Sequence, residues 1–172
     1  AASVAASAPR PQLARMPRML WRTMRVMASS AAPPDGAGPV VRPATVDDLP
    51  EVVRIWHEGW RDAHVGHVPD GLLRHREAEH FQQLAQTRLA TMWVAVVEDA
   101  IAGFVVVTRD EVEQLYVDRA RRGTGVAVTL LRKAETTVRL AGHARAWLAV
   151  VDGNQRAGAL YERLGWRDVG PM

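Results

Sequence analysis

Cysteine is absent from this chain of 172 residues. The absence excludes disulfides, a thiolate nucleophile and any metal site that needs cysteine ligands. It is compatible with a reducing cytoplasm, where we expect the protein to act. Long apolar runs are missing as well. None approaches the roughly 20 residues that a membrane-spanning helix needs, so we expect no membrane span.

Positive charge is concentrated in the N-terminal part, although the pI of the chain is about 10.1. Residues 1–38 carry five arginines and one aspartate, a net charge of +4. Since the whole chain carries +3, residues 39–172 contribute −1. A domain with this charge has little attraction for a phosphate backbone, so we expect no nucleic-acid partner.

The length fits one folded domain, predicted at residues 39–172. Residues 1–38 are predicted to be a flexible basic extension, because their ends lack periodicity and are rich in Ala, Ser, Pro and Gly. Within this extension, the apolar spacing from Met16 to Met27 fits a basic amphipathic helix. Such a segment is a targeting presequence, a membrane-surface or partner contact, or an extension outside the natural protein.

Hydrophobic periodicity predicts the order β-α-α-β-β-β-α-β-α-β in the folded domain. The predicted elements are strand 40–44, helices 46–63 and 70–88, strands 92–97, 101–107 and 111–117, helix 125–140, strand 146–151, helix 154–164 and strand 166–169. On the strand 111–117, strict alternation places Val112 and Tyr116 on one face, and Glu111 and Glu113 on the other.

The turn after the strand 111–117 is the most informative segment. Gly123 and Gly125 carry no Cβ atom, so backbone N–H groups at the positive end of the next helix are open to an anion. Arg121 and Arg122 add positive charge beside them. The P-loop pattern is missing, and two glycines are too few for a Rossmann fingerprint. Taken alone, the turn also fits a solvated basic loop.

A second motif lies near the C-terminal end. Asn154 is a good N-cap residue for the helix 154–164, and Gly165 follows it at the C′ position. Tyr161 shares the apolar face of this helix, so by itself it fits a core aromatic residue.

Together, the two motifs resemble those of the GNAT superfamily of acyl-CoA-dependent N-acyltransferases. Arg122-x-x-Gly125-x-Ala127 is similar to its acyl-CoA-binding motif, and the sequence from Asn154 to Trp166 to its second signature. The predicted element order is also that of the GNAT fold. The resemblance implies an α/β fold of the α+β type. Its mixed, mostly antiparallel sheet is splayed between the fourth and fifth strands and flanked by helices.

The resemblance also implies a function. An N-acetyltransferase of this kind moves an acetyl group from acetyl-CoA, its co-substrate, to a primary amine of a small molecule or peptide by direct attack. A backbone N–H near Leu115 would stabilise the oxyanion. The implied cofactor-binding residues are Leu115, Tyr116, Val117, Arg122, Gly123, Thr124, Gly125, Val126, Ala127 and Asn154.

Three catalytic residues follow from the two proton transfers that this reaction needs. The amine must lose a proton before it attacks, and Glu113 or Glu111 could accept that proton. Glu113 ranks first because it is nearer the implied thioester, although each glutamate fits an exposed edge residue equally well. Tyr161 would donate a proton to the leaving thiolate.

The acceptor cleft is implied to lie under the first two helices, with Trp56, Trp60 and His64 as substrate-binding residues. Trp56 and Trp60 also fit core positions; a tryptophan in the cleft would favour an aromatic or cationic acceptor. His64 and His67 by themselves are an incomplete ligand set, so we expect no metal.

Two other function classes stay open. A non-catalytic acyl-CoA-binding regulatory module would keep Arg122–Ala127 but lack a working base and acid. An interaction protein would use the basic N-terminal helix.

The end of the chain poses a separate question. The resembling fold ends with a strand inserted between the two strands before it, whereas this chain stops at Met172. Strand 166–169 therefore lacks a hydrogen-bonded neighbour. We expect a longer natural C-terminus or a homodimer in which a partner subunit supplies the strand.

Overall fold

The structure, a computed structural model, describes residues 21–28, 38–64 and 78–171. Its strands are β1 Trp21–Met27, β2 Val40–Pro43, β3 Met92–Val97, β4 Ala100–Thr108, β5 Glu111–Val117, β6 Arg145–Val151 and β7 Arg167–Pro171. Its helices are α1 Leu49–His64, α2 Ala78–Arg88, α3 Val126–Leu140 and α4 Gln155–Arg163. Short 3-10 turns cover Val46–Asp48, Leu89–Thr91 and Arg119–Arg121.

The seven strands form one mixed sheet in the order β2-β3-β4-β5-β6-β1-β7. All neighbouring pairs that involve β1 to β4 are antiparallel, and β5 and β6 are parallel. The predicted fold class, a mixed and mostly antiparallel sheet flanked by helices, is confirmed.

Two hydrophobic cores lie on opposite faces of this sheet. The α1/α2 core joins those helices to β3 and β4; its buried residues include Trp56, Trp60, Phe81, Val94 and Phe104. The α3/α4 core joins the other two helices to β4, β5, β6 and β1; its buried residues include Met24, Leu130, Leu148, Tyr161 and Trp166. The helices therefore enclose the sheet from both sides, as the apolar periodicity predicted.

A β-bulge on β5 changes the predicted alternation of its side chains. Val112 packs in the α3/α4 core, whereas Tyr116 packs against the α1/α2 core. The prediction that these two residues share a face is therefore wrong. Two adjacent β4 residues are opposite Gln114 and Val112, which leaves Glu113 as an extra residue. One extra residue reverses the faces of all residues after it, and sequence alternation cannot show this.

The predicted amphipathic helix is wrong where the structure describes it. Residues Trp21–Met27 form strand β1, which lies between β6 and β7 and is antiparallel to both. Only Met24 of this strand is buried, in the α3/α4 core. Over only seven positions, the same apolar residues can fit the period of a helix or the period of a strand. The open edges of β6 and β7 decide in favour of a strand. The predicted domain boundary between residues 38 and 39 stays a prediction. The N-terminal segment before that boundary, however, supplies strand β1 to this sheet.

Strand β1 is also the neighbour that the last strand lacked in the sequence. We expected a longer C-terminus or a partner subunit to supply it. In the structure β7 pairs with β1 of the same chain, at Met24–Asp168 and Arg25–Arg167. The side chain of Arg22 also forms a salt bridge with Asp168.

Several expectations concern residues that the structure describes only in part. The predicted helix 70–88 is described from Ala78, and residues 70–77 lie outside the described ranges. The same holds for His67 and for Met16. Within the described ranges, no helix is long and apolar enough to cross a membrane.

Burial in strand β1 generates a first prediction. Met24 is 2% exposed and Met27, on the same strand, is 62% exposed. Met24→Ala should lower the free energy of unfolding by about 2–4 kcal/mol, because it leaves a cavity in a packed core. Met27→Ala, the matched control, should change it by less than about 0.5 kcal/mol. Urea denaturation of both variants measures the difference. Equal effects would contradict the placement of β1 in the sheet.

Candidate active site

The candidate site opens where β5 and β6 separate. Within the described residues, the ladder between these strands consists of one pair, Glu111 and Trp147. The backbone N–H of Trp147 also donates to the Asp110 carbonyl at 3.0 Å. Beyond this point the two strands diverge, and a cavity of about 1180 Å³ lies between and above them. The sequence resemblance implied this splay.

Most of the predicted site residues line this one cavity. They are Trp56, Trp60, Glu111, Glu113, Leu115, Tyr116, Val117, Arg122, Gly123, Gly125, Ala127, Asn154 and Tyr161. Thr124 is exposed, and its hydroxyl donates to the Arg121 carbonyl at 2.6 Å. The side chain of Val126 is buried in the α3/α4 core, so only its backbone can serve an anion. His64 is the last residue of α1.

The glycine turn is shaped for a ligand rather than for packing within the protein. Gly123 and Gly125 have φ angles of 81° and 90°, a region that other residues rarely adopt. A Cβ atom added at either position would meet nothing within 4 Å. Gly125 is the N-cap of α3, a helix of 15 residues whose first N–H groups have no intrahelical acceptor. The turn thus presents backbone donors beside open space, which fits a phosphate group.

Two salt bridges connect this turn to helix α1. Arg122 contacts Asp62 at 2.8 Å, with side chains 25% and 30% exposed. Arg54 contacts Asp118, the residue that follows β5. Burial opposes ionisation of Asp118, but hydrogen bonds from Arg54 and from the Ala120 N–H outweigh it and lower the pKa of Asp118. The glycine turn is therefore fixed relative to the helix that roofs the cavity.

The second motif places Asn154 and Tyr161 on the other side of the splay. The Asn154 side chain accepts a hydrogen bond from the Ala157 N–H at 3.2 Å and caps α4, as predicted. Tyr161 packs with its ring centroid 6.0 Å from that of Trp166. Burial raises the pKa of Tyr161 to about 12. Its hydroxyl therefore stays protonated at neutral pH, as a hydrogen-bond donor must.

Glu113 is held in place by two partners in the cavity wall. Arg88, at the end of α2, contacts its carboxylate at 2.8 Å, and the Thr108 hydroxyl donates to it at 3.0 Å. The side chains of Arg88 and Glu113 are 23% and 17% exposed. Val112 packs in the α3/α4 core, so alternation places the next residue, Glu113, on the α2 side of the sheet. Glu113 is therefore not a freely exposed edge residue.

Helix α1 reaches the cavity through a close approach to β5. A Cβ atom at Gly59 would lie 2.6 Å from the Tyr116 ring, so only glycine permits this contact. Trp56 and Trp60, on the same helix, are 1% and 6% exposed and pack around Phe81 at 5.7 and 6.1 Å between ring centroids. Both line the cavity but belong mainly to the core.

Sequence reasoning did not single out three residues at this site. Trp21 lines the cavity from strand β1, Arg88 holds Glu113, and Asp62 holds Arg122. Each comes from an element far along the chain, so no local motif includes it. No group of three His, Cys, Asp or Glu side chains within the described ranges could hold a metal ion.

The sequence as a whole matches the family model for the Acetyltransferase (GNAT) family over residues 50–166, more than half of the chain. The chain belongs to the GNAT acetyltransferase family. The match includes both motifs, α1 and the splayed strands. No curated protein sequence matches the chain significantly.

Solved structures support the GNAT fold. The PaiA N-acetyltransferase of Thermoplasma acidophilum in complex with coenzyme A is 18% identical, with a TM-score of 0.63 over 77% of this chain and 94% of that one. An N-acetyltransferase of Staphylococcus aureus is 18% identical, with a TM-score of 0.55 over 73% and 89%. The apo form of YjaB of Escherichia coli is 24% identical, with a TM-score of 0.55 over 73% and 80%. At these identities, the likeness shows the fold alone.

The glycine turn generates a second prediction. Gly125→Asp should weaken acetyl-CoA binding by about tenfold to a hundredfold, because a carboxylate would occupy the space for the phosphate. Gly142, in the turn after α3, has the same backbone conformation, with φ of 88°, and equally open surroundings. Gly142→Asp is therefore the matched control for backbone strain. Calorimetry with acetyl-CoA should show weaker binding for Gly125→Asp and unchanged binding for Gly142→Asp. Unchanged affinity in a folded Gly125→Asp protein would refute the prediction that the glycine turn binds the phosphate.

Proposed function

We propose that this GNAT chain transfers the acetyl group of acetyl-CoA to a primary amine of a small molecule or peptide by direct attack. One observation carries the proposal: the glycine turn, the two glutamates and Tyr161 all open into the cavity between β5 and β6. An anion-binding turn, candidate proton acceptors and a hydrogen-bond donor at one cavity are the parts that acyl transfer needs. A cytoplasmic location and a homodimer stay predictions from the sequence.

Acetyl-CoA fits the residues present. The N–H groups from Gly123 to Ala127 and the guanidinium of Arg122 would hold its pyrophosphate, in exchange for the contact of Arg122 with Asp62. Among the described residues, the splay leaves one side of Leu115 and Val117 without a neighbouring strand, so their backbone groups would pair with the extended arm. Asn154 would position this arm or an ordered water. When bound, acetyl-CoA supplies the thioester carbonyl, and the N–H near Leu115 would stabilise its oxyanion.

Glu113 is our candidate for the proton acceptor, and Glu111 is the second choice. An alkyl amine with a pKa near 10.4 is protonated at pH 7 and must lose a proton before it attacks. Arg88 and Thr108 fix the Glu113 carboxylate without using all of its lone pairs, since a carboxylate has about four acceptor positions. A remaining position can accept the proton, directly or through water.

Tyr161 is our candidate for the donor to the departing sulfur. Its pKa of about 12 lies well above the roughly 8.5 of a thiol, so complete transfer to a free thiolate is uphill by about 5 kcal/mol. A hydrogen bond to the sulfur while its charge develops has no such cost, and it stabilises the transition state. Donation of a hydrogen bond is therefore the step that we assign to Tyr161; CoA leaves as a thiolate and takes its proton from water.

The test of the proposed function is a screen of primary amines with acetyl-CoA that follows release of the CoA thiol. Amine-dependent thiol release by the chain supports acetyl transfer. Tight acetyl-CoA binding without release for any amine would instead support the alternative, a non-catalytic acyl-CoA-binding regulatory module.

A third prediction concerns Tyr161. Tyr161→Phe should lower kcat by about tenfold to a thousandfold and leave stability almost unchanged, because the ring keeps its contact with Trp166. Since the raised pKa keeps the phenol neutral below about pH 12, the wild type should show no fall in kcat caused by Tyr161 between pH 7 and 10. Steady-state rates across this range measure both effects. A normal rate in the variant, with chemistry limiting, would return Tyr161 to a core role.

A fourth prediction separates the two glutamates. Glu113→Gln should lower kcat/KM for the amine most strongly near pH 7, because the amine is then almost fully protonated. Higher pH should partly restore the rate, since water can deprotonate more of the amine. Glu111→Gln should have a smaller effect. Glu79→Gln, exposed in the first turn of α2, is the matched control. The reverse ranking of Glu113 and Glu111 would mean that the thioester lies elsewhere along β5.

A further inference from the structure

Strand β1 brings a side chain to the cavity that neither motif predicts. The strand pairs with β6 in continuous register from Trp21–Val151 to Met27–Arg145, and its other edge pairs with β7. Hydrogen bonding on both edges fixes the position of its residues relative to the sheet. Trp21, at the start of the strand, lines the cavity together with its partner Val151.

The alternation of β1 shows on which side of the sheet Trp21 lies. Met24 and Val26 pack with the α3/α4 core. Because successive side chains alternate and the β1–β6 register is regular, Trp21 lies on the opposite face, the side of α1 and α2. Glu113, held there by Arg88 of α2, opens into the same cavity. Trp21 therefore lies on the side where we place the incoming amine.

Trp21 also differs from the other tryptophans of the cavity. Trp56 and Trp60 are buried in the α1/α2 core, whereas Trp21 is only half-buried. Like them, it also lines the cavity. Neighbouring strands are about 4.8 Å apart, so β1 lies one strand spacing from β6, the strand that borders the open splay.

We propose that Trp21 forms a wall of the acceptor subsite and limits the size of the group attached to the amine. This inference rests on the proposed function and deepens it: the acceptor is a primary amine with a compact apolar substituent that packs on the indole. Glu111 and Glu113 line the same cavity, and a carboxylate suits an ammonium group before deprotonation. The N-terminal strand would thus determine acceptor choice without contributing to the acetyl-CoA turn.

The test compares two amines of different size, n-butylamine and tryptamine, as probes of the CoA-loaded chain. Their dissociation constants are measured by ligand-detected NMR titration, which needs no turnover. Trp21→Ala should weaken n-butylamine, which loses its contact, and favour tryptamine, whose ring enters the vacated space. We expect the affinity ratio to shift toward tryptamine by about tenfold. Trp21→Phe should give a smaller shift in the same direction, and it carries the test if the alanine variant does not fold.

Arg25→Ala is the matched control, because Arg25 is exposed on the same face of β1 and does not line the cavity. It should leave the ratio within about twofold, and all folded variants should bind acetyl-CoA as the wild type does. An unchanged ratio in both Trp21 variants, an equal shift in Arg25→Ala, or no binding of either amine would overturn the inference. Thiol release is measured separately. Amines that bind with a Trp21-dependent ratio but are never acetylated would count against acetyl transfer to these amines, whereas the amine-binding subsite at Trp21 would remain.

Discussion

The separation of β5 from β6 is the constraint on which the rest of this structure depends. Two parallel strands normally continue their ladder, but these pair only at Glu111 and Trp147. The divergence leaves backbone donors and acceptors of β5 facing a cavity, a condition that proteins tolerate where a ligand or water can satisfy them. The glycine turn lies at the open end, so the direction of β5 also aims the first N–H groups of α3 at the cavity. The same separation of β5 and β6 therefore shapes both the sheet and the candidate site.

A strand that loses its partner on one edge must be held from the other, and β1 does this for β6. The two strands pair along their whole length, and Met24 anchors the pair in the α3/α4 core. At the end of α4, Trp166 donates from its ring nitrogen to the buried Glu135 of α3 at 3.1 Å, which fixes the start of β7. The splay can stay open because each of its two strands has other partners. Strand β5 pairs with β4 and packs against α1, and strand β6 pairs with β1.

Charged side chains around the cavity are paired across elements. Asp62 on α1 contacts Arg122 in the turn, and Arg88 on α2 contacts Glu113 on β5. Partly exposed pairs contribute little to stability, because water and salt screen them. The pair with Arg88 does fix the direction of the Glu113 carboxylate that our proposal uses for the proton, and the pair with Asp62 holds Arg122 beside the turn where our proposal places the phosphate. The same helices thus shape the side where we propose that the acceptor binds and hold groups on the side that we propose for acetyl-CoA.

The sequence by itself determined what short-range physics controls. Apolar periodicity predicted nearly every strand and helix after residue 39. The N-cap role of Asn154 and the turn at the two glycines could also be predicted from nearby residues, because capping and positive φ are local requirements. Only the tertiary structure decided the bulge at Glu113, the partners of Glu113 and Arg122, and the strand identity of Trp21–Met27. Each depends on a contact between residues distant in sequence. An apolar pattern of seven residues does not show which strand edge the segment will pair with. The position of β1 in the sheet, and of Trp21 at the cavity, could therefore be known only from the folded structure.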